Sequence, residues 1–198
     1  MDPHSAIHRI KEKDRCFNMT EMQDIHENTV KEIYFAAGCF WGTEKLFQDL
    51  DGVLDAESGY ANGRADIVPD YKRVCAGDTD YRETVKVLYD PAQVSLEQLL
   101  QAYFYVVDPT VENKQGADVG TQYQTGIYYT DEDSGEIVRA YAKMEAPKHP
   151  AFLVEIGPLA RFYPAEEYHQ NYLDKNPGGY CHIPSWEFQE VKALIGQK

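Results

Sequence analysis

Short strand-like runs that alternate with helix signals constrain the fold of this chain most. Residues 30–37 suit a strand, Gly38 lets the backbone turn sharply, and a helix follows over residues 40–50. Further strands are expected at residues 53–60, 83–89, 124–129 and 152–156, and further helices at 95–107, 130–144 and 165–175. Ser95 and Thr130 are the expected caps of two of these helices. This alternation predicts one open sheet with helices packed over it.

Length and charge limit the organisation of the chain and the partners it can have. A length of 198 residues suits a single hydrophobic core, so we expect an N-terminal extension over residues 1–29 and one domain over residues 30–198. A net charge of −14 would repel nucleic acid and an anionic membrane surface. Since the sequence contains no signal-like or membrane-spanning apolar run, we expect a cytoplasmic protein.

The four cysteines are Cys16, Cys39, Cys75 and Cys181, and they are widely spaced. No two of them form a C-x-x-C pair, which argues against a zinc motif and a thioredoxin-like motif. We therefore expect no metal ion and no cofactor. In a reducing compartment, cysteines spaced in this way are either inert thiols or redox-active ones.

Cys39 has the most distinctive sequence context, because Gly38-Cys39-Phe40-Trp41-Gly42 places a thiol where a strand turns into a helix. The unpaired N–H groups and the dipole of a helix N-terminus favour an anion, so we expect the pKa of this thiol to be lowered. Two large aromatic side chains directly after the thiol indicate an apolar pocket beside a reactive atom.

The segment from Gly38 to Gly42 resembles the signature of the A-type peptide methionine sulfoxide reductases. Other segments resemble that family in the same order: residues 58–60, 70–77, 89–91, 118–123, 168–173 and 176–181. One departure is Tyr81, which stands where the family commonly has His, although Glu83 two residues later is present. The resemblance implies an α+β fold: a two-layer sandwich with a ferredoxin-like βαβ core and an irregular C-terminal segment.

The resemblance also implies a role for each matching residue. Cys39 would attack the sulfur of methionine sulfoxide, with Glu83 as the acid that protonates the sulfoxide oxygen. The substrate would be held by aromatic rings around its methyl group, by phenol hydroxyls that bind its oxygen and by a carboxylate that positions the network: Phe40, Trp41, Tyr71, Tyr123 and Asp118. The substrate would be the S epimer of methionine sulfoxide, free or in proteins.

Regeneration of the enzyme is implied to use a second cysteine. The family's usual first resolving position corresponds to Cys181, which would form a disulfide with Cys39 that thioredoxin then reduces. Cys75 lies in a strand-like run between the small apolar residues Val74 and Ala76, and we expect it to be buried and inert. Cys16 lies outside the matching region and is expected to be an exposed thiol or an additional exchange site.

The sequence leaves open the roles of two further polar residues and two alternative functions. We expect Glu44 to be a solvated charge and His169 to make a structural hydrogen bond. A cysteine hydrolase that uses His169 or His182 as its base is the first rival, although the papain-type sequence around the nucleophile is absent. A non-catalytic module that binds methionine-like side chains is the second rival.

Overall fold

A computed structural model describes residues 30–196 of the chain. The described part forms these elements, in chain order: β1 (Lys31–Ala36), α1 (Phe40–Gln48), β2 (Val53–Ala61), α2 (Tyr71–Ala76), β3 (Arg82–Tyr89), α3 (Leu96–Val106), β4 (Lys114–Gln115), β5 (Asp118–Val119), β6 (Gly126–Tyr129), α4 (Glu132–Glu145), β7 (Glu155–Pro158), β8 (Phe162–Pro164), α5 (Tyr172–Lys175) and α6 (Ser185–Ile195). Short 3₁₀ turns lie at Thr121–Tyr123 and Ala146–Lys148. The expected N-terminal extension lies outside the described residues.

Six strands form one mixed sheet in the order β7-β6-β1-β3-β2-β8, and β4 pairs with β5 in a separate small ribbon. All neighbours in the large sheet are antiparallel except β6 and β7, which are parallel. Strands β1 and β2 run in the same direction on either side of β3, and α1 connects them. A mixed sheet covered by helices confirms the α+β class.

The core lies between the sheet and the two helices α1 and α3. Phe35 of β1 stacks on Phe47 of α1 with a centroid distance of 4.6 Å and on Tyr103 of α3 at 5.3 Å. Alternate residues of β1 point to opposite faces, so Ile33 joins this core while Tyr34 packs in a smaller cluster on the other face. Both helices therefore cover the same face of the sheet.

Side-chain caps fix the starts of three of the six described α-helices, α2, α3 and α4. The Ser95 side chain accepts a hydrogen bond from the Gln98 N–H at 3.2 Å, and the Gln98 side chain accepts one from the Ser95 N–H at 3.0 Å. This reciprocal pair confirms the start predicted for α3. The cap of α4 is Asp131 rather than the predicted Thr130, since the Asp131 carboxylate accepts from the Ser134 N–H at 2.9 Å.

Residues 71–76 form helix α2, whereas the sequence suggested a strand-like run around Cys75. The Asp70 carboxylate accepts a hydrogen bond from the Arg73 N–H at 2.9 Å and caps the helix. Gly77 ends it in the left-handed conformation, with φ +78°. On this short helix Val74 faces the core while Cys75 is exposed, so the prediction of a buried Cys75 is wrong.

The predicted helix over residues 165–175 is reduced to the single turn α5. The side chain of Gln170 bonds to the backbone of Ser58 in β2, accepting at 2.9 Å and donating at 2.8 Å. Asn171 then adopts φ +53°, a left-handed conformation that a continuous α-helix excludes. These tertiary contacts outweigh the helical pattern and direct His169 into the interior, where it is 1% exposed.

The C-terminal region also differs from the prediction. Strand β7 begins three residues later than expected and is followed by a further strand, β8, which lies at the sheet edge beside β2. The segment expected to be irregular ends in helix α6, which buries Val191 and Ile195. Gln98 at the start of α3 donates to the Ile195 carbonyl at 2.9 Å, so α6 packs on α3 and closes the core.

Candidate active site

Cys39 is the N-cap residue of α1, directly after strand β1. The turn depends on Gly38, whose φ of +86° strains any side chain and whose added Cβ would lie 2.6 Å from the Cβ of Gln115. The Cys39 carbonyl accepts a hydrogen bond from the Thr43 hydroxyl at 3.2 Å, which fixes the first turn of the helix. The thiol is thereby held at the helix N-terminus with only 6% of the residue exposed.

The environment of this thiol corrects the prediction of a lowered pKa. Burial, followed by the charge of Glu83, raises the pKa of Cys39 well above its ordinary value, and Asp118 adds to the effect. A hydrogen bond from the Trp41 backbone N–H acts in the opposite direction but is outweighed. The Cys39 thiol is therefore protonated at neutral pH, and its attack on a substrate requires an acceptor for that proton.

Glu83 lies on β3 and reaches the same helix N-terminus. Its Oε2 atom accepts a hydrogen bond from the Phe40 N–H at 3.1 Å, one of the helix donors that lack an intrahelical partner. Only 2% of the residue is exposed, and burial raises the pKa of Glu83 to about 8 although the Phe40 N–H lowers it. At neutral pH this carboxyl group keeps its proton and can act as an acid.

Aromatic rings line the space next to Cys39. Trp41 stacks on Tyr172 with a centroid distance of 3.7 Å, and its Nε1–H donates to His169 Nδ1 at 3.1 Å. The His169 ring in turn lies 5.0 Å from that of Phe40 and 4.4 Å from that of Tyr71. This arrangement confirms the structural hydrogen bond expected of His169 and brings the predicted aromatic residues together.

The two phenols proposed as donors to the substrate face the same centre. Burial is the main cause that raises the pKa of both Tyr71 and Tyr123, and the charges of Glu83 and Cys39 contribute to both shifts. Tyr123 comes from the 3₁₀ turn between β5 and β6, whereas Tyr71 begins α2. Both hydroxyl groups stay protonated over the physiological range, so each has a proton to donate.

Asp118 on β5 joins this cluster from the small ribbon. One of its oxygens lies within 4.8 Å of the Cys39 sulfur and of a ring nitrogen of His182. Tyr180 hydrogen-bonds to Asp118, and burial together with this bond raises the pKa of Tyr180 to about 12. The sequence singled out His182 only as a possible hydrolase base, because its approach to Cys39 depends on the C-terminal segment folding back.

Cys181 lies against the first turn of α1, where the absence of a side chain at Gly42 leaves room for it. A Cβ added at Gly42 would lie 2.9 Å from the Cys181 sulfur and 3.3 Å from the Cδ1 atom of Ile183. Cys181 is close enough to Cys39 to contribute to the shift in its pKa, and one side of Cys181 lines an open groove of about 610 Å³. Among the residues described, Cys75 is the exposed cysteine, while Cys16 lies outside them.

Two acidic residues hold the site together: Glu44, for which the prediction of a solvated charge is wrong, and Glu166, which the sequence analysis did not single out. Glu44 is buried rather than solvated, and its Oε2 accepts from the Asn171 N–H at 2.8 Å. Burial raises the pKa of Glu44 to about 7. Glu166 accepts from the Tyr60 hydroxyl at 2.8 Å and from the Tyr71 N–H at 2.9 Å. Both carboxyl groups fix the segment that carries His169, and their partners are too distant in sequence for a local pattern to reveal them.

Tyr81, the departure from the family pattern, has a structural position. Its hydroxyl donates to the Ile67 carbonyl at 3.0 Å, and the residue is 1% exposed. The ring fills the space beside Gly63, where an added Cβ would lie 2.1 Å from the ring carbon Cδ2. Tyr81 therefore holds the loop between β2 and α2, and the position of Glu83 is preserved.

Comparison with known proteins identifies the family. Residues 31–194 match the family model of the peptide methionine sulfoxide reductases. A peptide methionine sulfoxide reductase MsrA of Clostridium acetobutylicum is 53% identical over 156 residues, which cover 78% of this chain and 96% of the relative. Within residues 30–196, no helix is long and apolar enough to cross a membrane.

Two solved structures agree in fold and sequence. The crystal structure of Mxr1 from Saccharomyces cerevisiae in reduced form has a TM-score of 0.75 and 40% identity, covering 79% of this chain and 92% of that one. Methionine sulfoxide reductase A of Corynebacterium diphtheriae has a TM-score of 0.74 and 36% identity, covering 79% and 84%. The chain therefore belongs to the peptide methionine sulfoxide reductase family, in its A type, and is an oxidoreductase.

Proposed function

We propose that this chain reduces the S epimer of methionine sulfoxide, free or in proteins, with Cys39 as the nucleophile. The observation that carries the proposal is a buried thiol that shares one aromatic-lined centre with a carboxyl group whose pKa is about 8. Attack on a sulfoxide sulfur needs a nucleophile, and the departing oxygen needs a proton donor. Cys39 and Glu83 supply these two groups.

The aromatic rings and the phenols divide the binding of the substrate between them. Phe40 and Trp41 hold the terminal methyl group, and the removal of its apolar surface from water favours binding. Tyr71 and Tyr123 donate hydrogen bonds to the sulfoxide oxygen, whose negative charge grows as the sulfur is attacked. Asp118 positions this network from β5.

The first chemical step transfers two electrons from the thiol to the sulfoxide. The Cys39 sulfur attacks the sulfoxide sulfur while Glu83 gives its proton to the oxygen. The hydroxyl group then moves to the Cys39 sulfur while the substrate sulfur loses both its bond to oxygen and its new bond to the Cys39 sulfur, leaving methionine and a Cys39 sulfenic acid. The proton lost from the thiol returns to the Glu83 carboxylate. The raised pKa of Cys39 is compatible with this exchange because Glu83 becomes a base once it has lost its own proton.

The second step regenerates the thiol. The Cys181 sulfur attacks the Cys39 sulfur, a disulfide forms, and the sulfenic hydroxyl leaves as water with the proton of the Cys181 thiol. A dithiol donor of the thioredoxin type then reduces the disulfide by thiol exchange. The open groove beside Cys181 supports this step, because the disulfide can be reached from solvent on that side.

We also propose a ferredoxin-like core, a domain boundary and a cellular compartment for this chain. The strand order β6-β1-β3-β2, with α1 and α3 in the connections on one face, supports a two-layer, ferredoxin-like core. Residues 30–198 form the catalytic domain and residues 1–29 its extension. A reducing compartment such as the cytoplasm supplies the dithiol that the cycle needs.

Cysteine variants test the cycle. Cys39→Ser should form no methionine, because the pKa of a serine hydroxyl is too high for it to replace the thiol as a nucleophile. Cys181→Ser should form about one equivalent rapidly and then stall with thioredoxin, and its Cys39 should react with dimedone, a probe for sulfenic acids. Cys75→Ser is the matched control and should behave like the parent, because the serine hydroxyl can replace the Cys75 thiol in its hydrogen bond with Tyr71.

Two results would overturn these assignments. Retention of more than about a few per cent of the activity in Cys39→Ser would remove Cys39 as the nucleophile. Thioredoxin-supported turnover that survives in Cys181→Ser but is lost in Cys16→Ser or Cys75→Ser would give the resolving role to that other cysteine. Both experiments use the full chain, so the extension is present throughout.

A further inference from the structure

Three side chains with metal-binding atoms converge at the nucleophile from separate segments of the chain. The Cys39 sulfur, one oxygen of Asp118 and one ring nitrogen of His182 all lie within 4.8 Å of one another. They come from the start of α1, from β5 and from the loop before α6. Cysteine spacing could not reveal this cluster, since only one of its members is a cysteine.

The orientation of His182 leaves one of its nitrogens free to bind a ligand. His182 Nε2 lies 3.0 Å from the Ala37 carbonyl oxygen, which can only accept, so Nε2 carries the proton and donates. Neutral Nδ1 then has a lone pair, and within residues 30–196 it is buried without a hydrogen-bond partner. Histidines that bind metal ions commonly donate their other ring N–H to a backbone carbonyl in this way.

Asp118, another member of the cluster, also has a buried oxygen without a hydrogen bond from the described residues. Its Oδ2 atom is buried and, like His182 Nδ1, accepts no hydrogen bond from any part of the chain that the structure describes. Buried acceptors that receive no hydrogen bond are costly unless a proton, a water molecule or a cation satisfies them. A cation that displaces the proton of the Cys39 thiol into solvent can bind this sulfur together with Asp118 and His182.

The donor set selects the kind of cation. Zn²⁺ binds sulfur, imidazole nitrogen and carboxylate oxygen at about 2.0–2.3 Å in a tetrahedron, which places its ligands roughly 3.5 Å apart. Starting from separations of at most 4.8 Å, the three atoms must approach by little more than about 1 Å. Mg²⁺ and Ca²⁺ prefer oxygen ligands and do not match a thiolate and an imidazole.

We propose that Cys39, Asp118 and His182 form a reversible Zn²⁺ site that blocks the enzyme by binding the sulfur of its nucleophile. Three protein ligands leave the fourth position of the tetrahedron open to water. A sulfur bound to Zn²⁺ cannot attack a sulfoxide and is shielded from oxidation while the ion stays in place. The binding of Zn²⁺ is independent of the proposed function, whereas the inhibition rests on it.

The binding half is tested on the reduced full-length protein. Zn²⁺ affinity is measured by competition with a chromophoric chelator, and Co²⁺ replaces Zn²⁺ to give the near-ultraviolet band of cobalt bound to thiolate. His182→Gln keeps an N–H for the Ala37 carbonyl but lacks the second ring nitrogen, and Asp118→Asn keeps the shape of the carboxylate. Each should weaken Zn²⁺ binding at least about tenfold.

Matched controls separate this site from other thiols and imidazoles. Cys75→Ser, Cys16→Ser and His149→Gln remove the same types of ligand elsewhere and should leave the affinity unchanged. Circular dichroism checks that every variant is folded. Absence of Zn²⁺ binding, or a change below about threefold in both His182→Gln and Asp118→Asn, would overturn the site. Loss of binding in Cys16→Ser or Cys75→Ser alone would do the same.

The inhibition half is measured as methionine formed in the first turnover, with a phosphine as reductant because dithiols bind Zn²⁺. Zn²⁺ should slow methionine formation at the concentrations at which it binds, and His182→Gln should require at least about tenfold more. If Zn²⁺ binds as expected but leaves the first turnover unchanged, the proposed block is wrong. If the protein without Zn²⁺ forms no methionine, the proposed function fails while the binding result stands.

Discussion

Gly42 controls how closely Cys181 approaches the first turn of α1, so Gly42→Ala should separate the two halves of the catalytic cycle. An added Cβ would lie 2.9 Å from the Cys181 sulfur, 3.3 Å from Ile183 Cδ1 and 3.4 Å from His182 Cε1. Comfortable contacts between such atoms are about 3.5–4.0 Å, so the sulfur must move by roughly 1 Å through side-chain rotation or a shift of the loop. A misplacement of about 1 Å can slow a reaction between positioned groups by 10²-fold.

The expected result is a slow second step after a normal first step. Methionine should form at close to the parent rate, while formation of the Cys39–Cys181 disulfide should slow by one to two orders of magnitude, about 10–100-fold. Alanine is favoured over glycine inside a helix by about 0.8–1 kcal/mol, which opposes the strain of the new contact. A large loss of overall stability is therefore not expected to explain the slow step.

Single-turnover mixing without reductant measures both steps. The reduced enzyme is mixed with methionine S-sulfoxide and quenched with acid at intervals, methionine is quantified, and the remaining thiols are alkylated and counted by mass spectrometry. Gly157→Ala is the matched control, because nothing lies within 4 Å of a Cβ at that position. Disulfide formation at the parent rate in Gly42→Ala would refute the reasoning.

Four further predictions concern the acid, the aromatic pocket and the N-terminal residues. Glu83→Gln should lower kcat by about 10²–10⁴-fold with little effect on KM, since the amide keeps the shape of the carboxyl but transfers no proton; a rise in KM alone would contradict the role. Folding raises the pKa of Glu83 from 4.5 to about 8, so the folded protein holds this proton more tightly than the unfolded chain does. The contribution of Glu83 to the free energy of unfolding is therefore fully present below about pH 4.5 and is lost as the pH rises through about 8. In urea unfolding at pH 9, Glu83→Gln should therefore be more stable than the parent by several kcal/mol, at most about 5. At pH 4 it should not be more stable, and an equal difference at both pH values would refute this. Trp41→Phe removes the hydrogen bond to His169 and should raise KM for the sulfoxide more than it lowers kcat; an unchanged KM would show that this bond does not shape the pocket. Deletion of residues 1–29 should leave turnover with dithiothreitol intact, and loss of activity in a folded truncated protein would show that the domain boundary is wrong.

Several features of the fold and site were determined by short stretches of sequence. The turn that puts Cys39 at a helix start was predicted from Gly38 and its neighbours, and the structure has it as predicted. The cap of α3 is equally local, since Ser95 and Gln98 satisfy each other. Patterns of this kind survive folding because their partners lie within a few residues of one another.

Other features were decided by the tertiary structure, because burial and charge depend on residues that are far apart in sequence. The turn favours a thiolate, yet burial and the nearby charge of Glu83 raise the pKa of Cys39 instead. The sequence predicted a solvated Glu44, but in the structure its carboxylate accepts a hydrogen bond from the backbone N–H of Asn171, 127 residues later.

The helical pattern over residues 165–175 likewise gave way to the bonds that Gln170 makes with Ser58, 112 residues earlier. A short sequence pattern thus determined the position of the nucleophile at the start of α1. The long-range packing of the strands, α1 and the C-terminal segment decided its protonation and which groups surround it, because desolvation and electrostatic interactions exist only once those segments have come together.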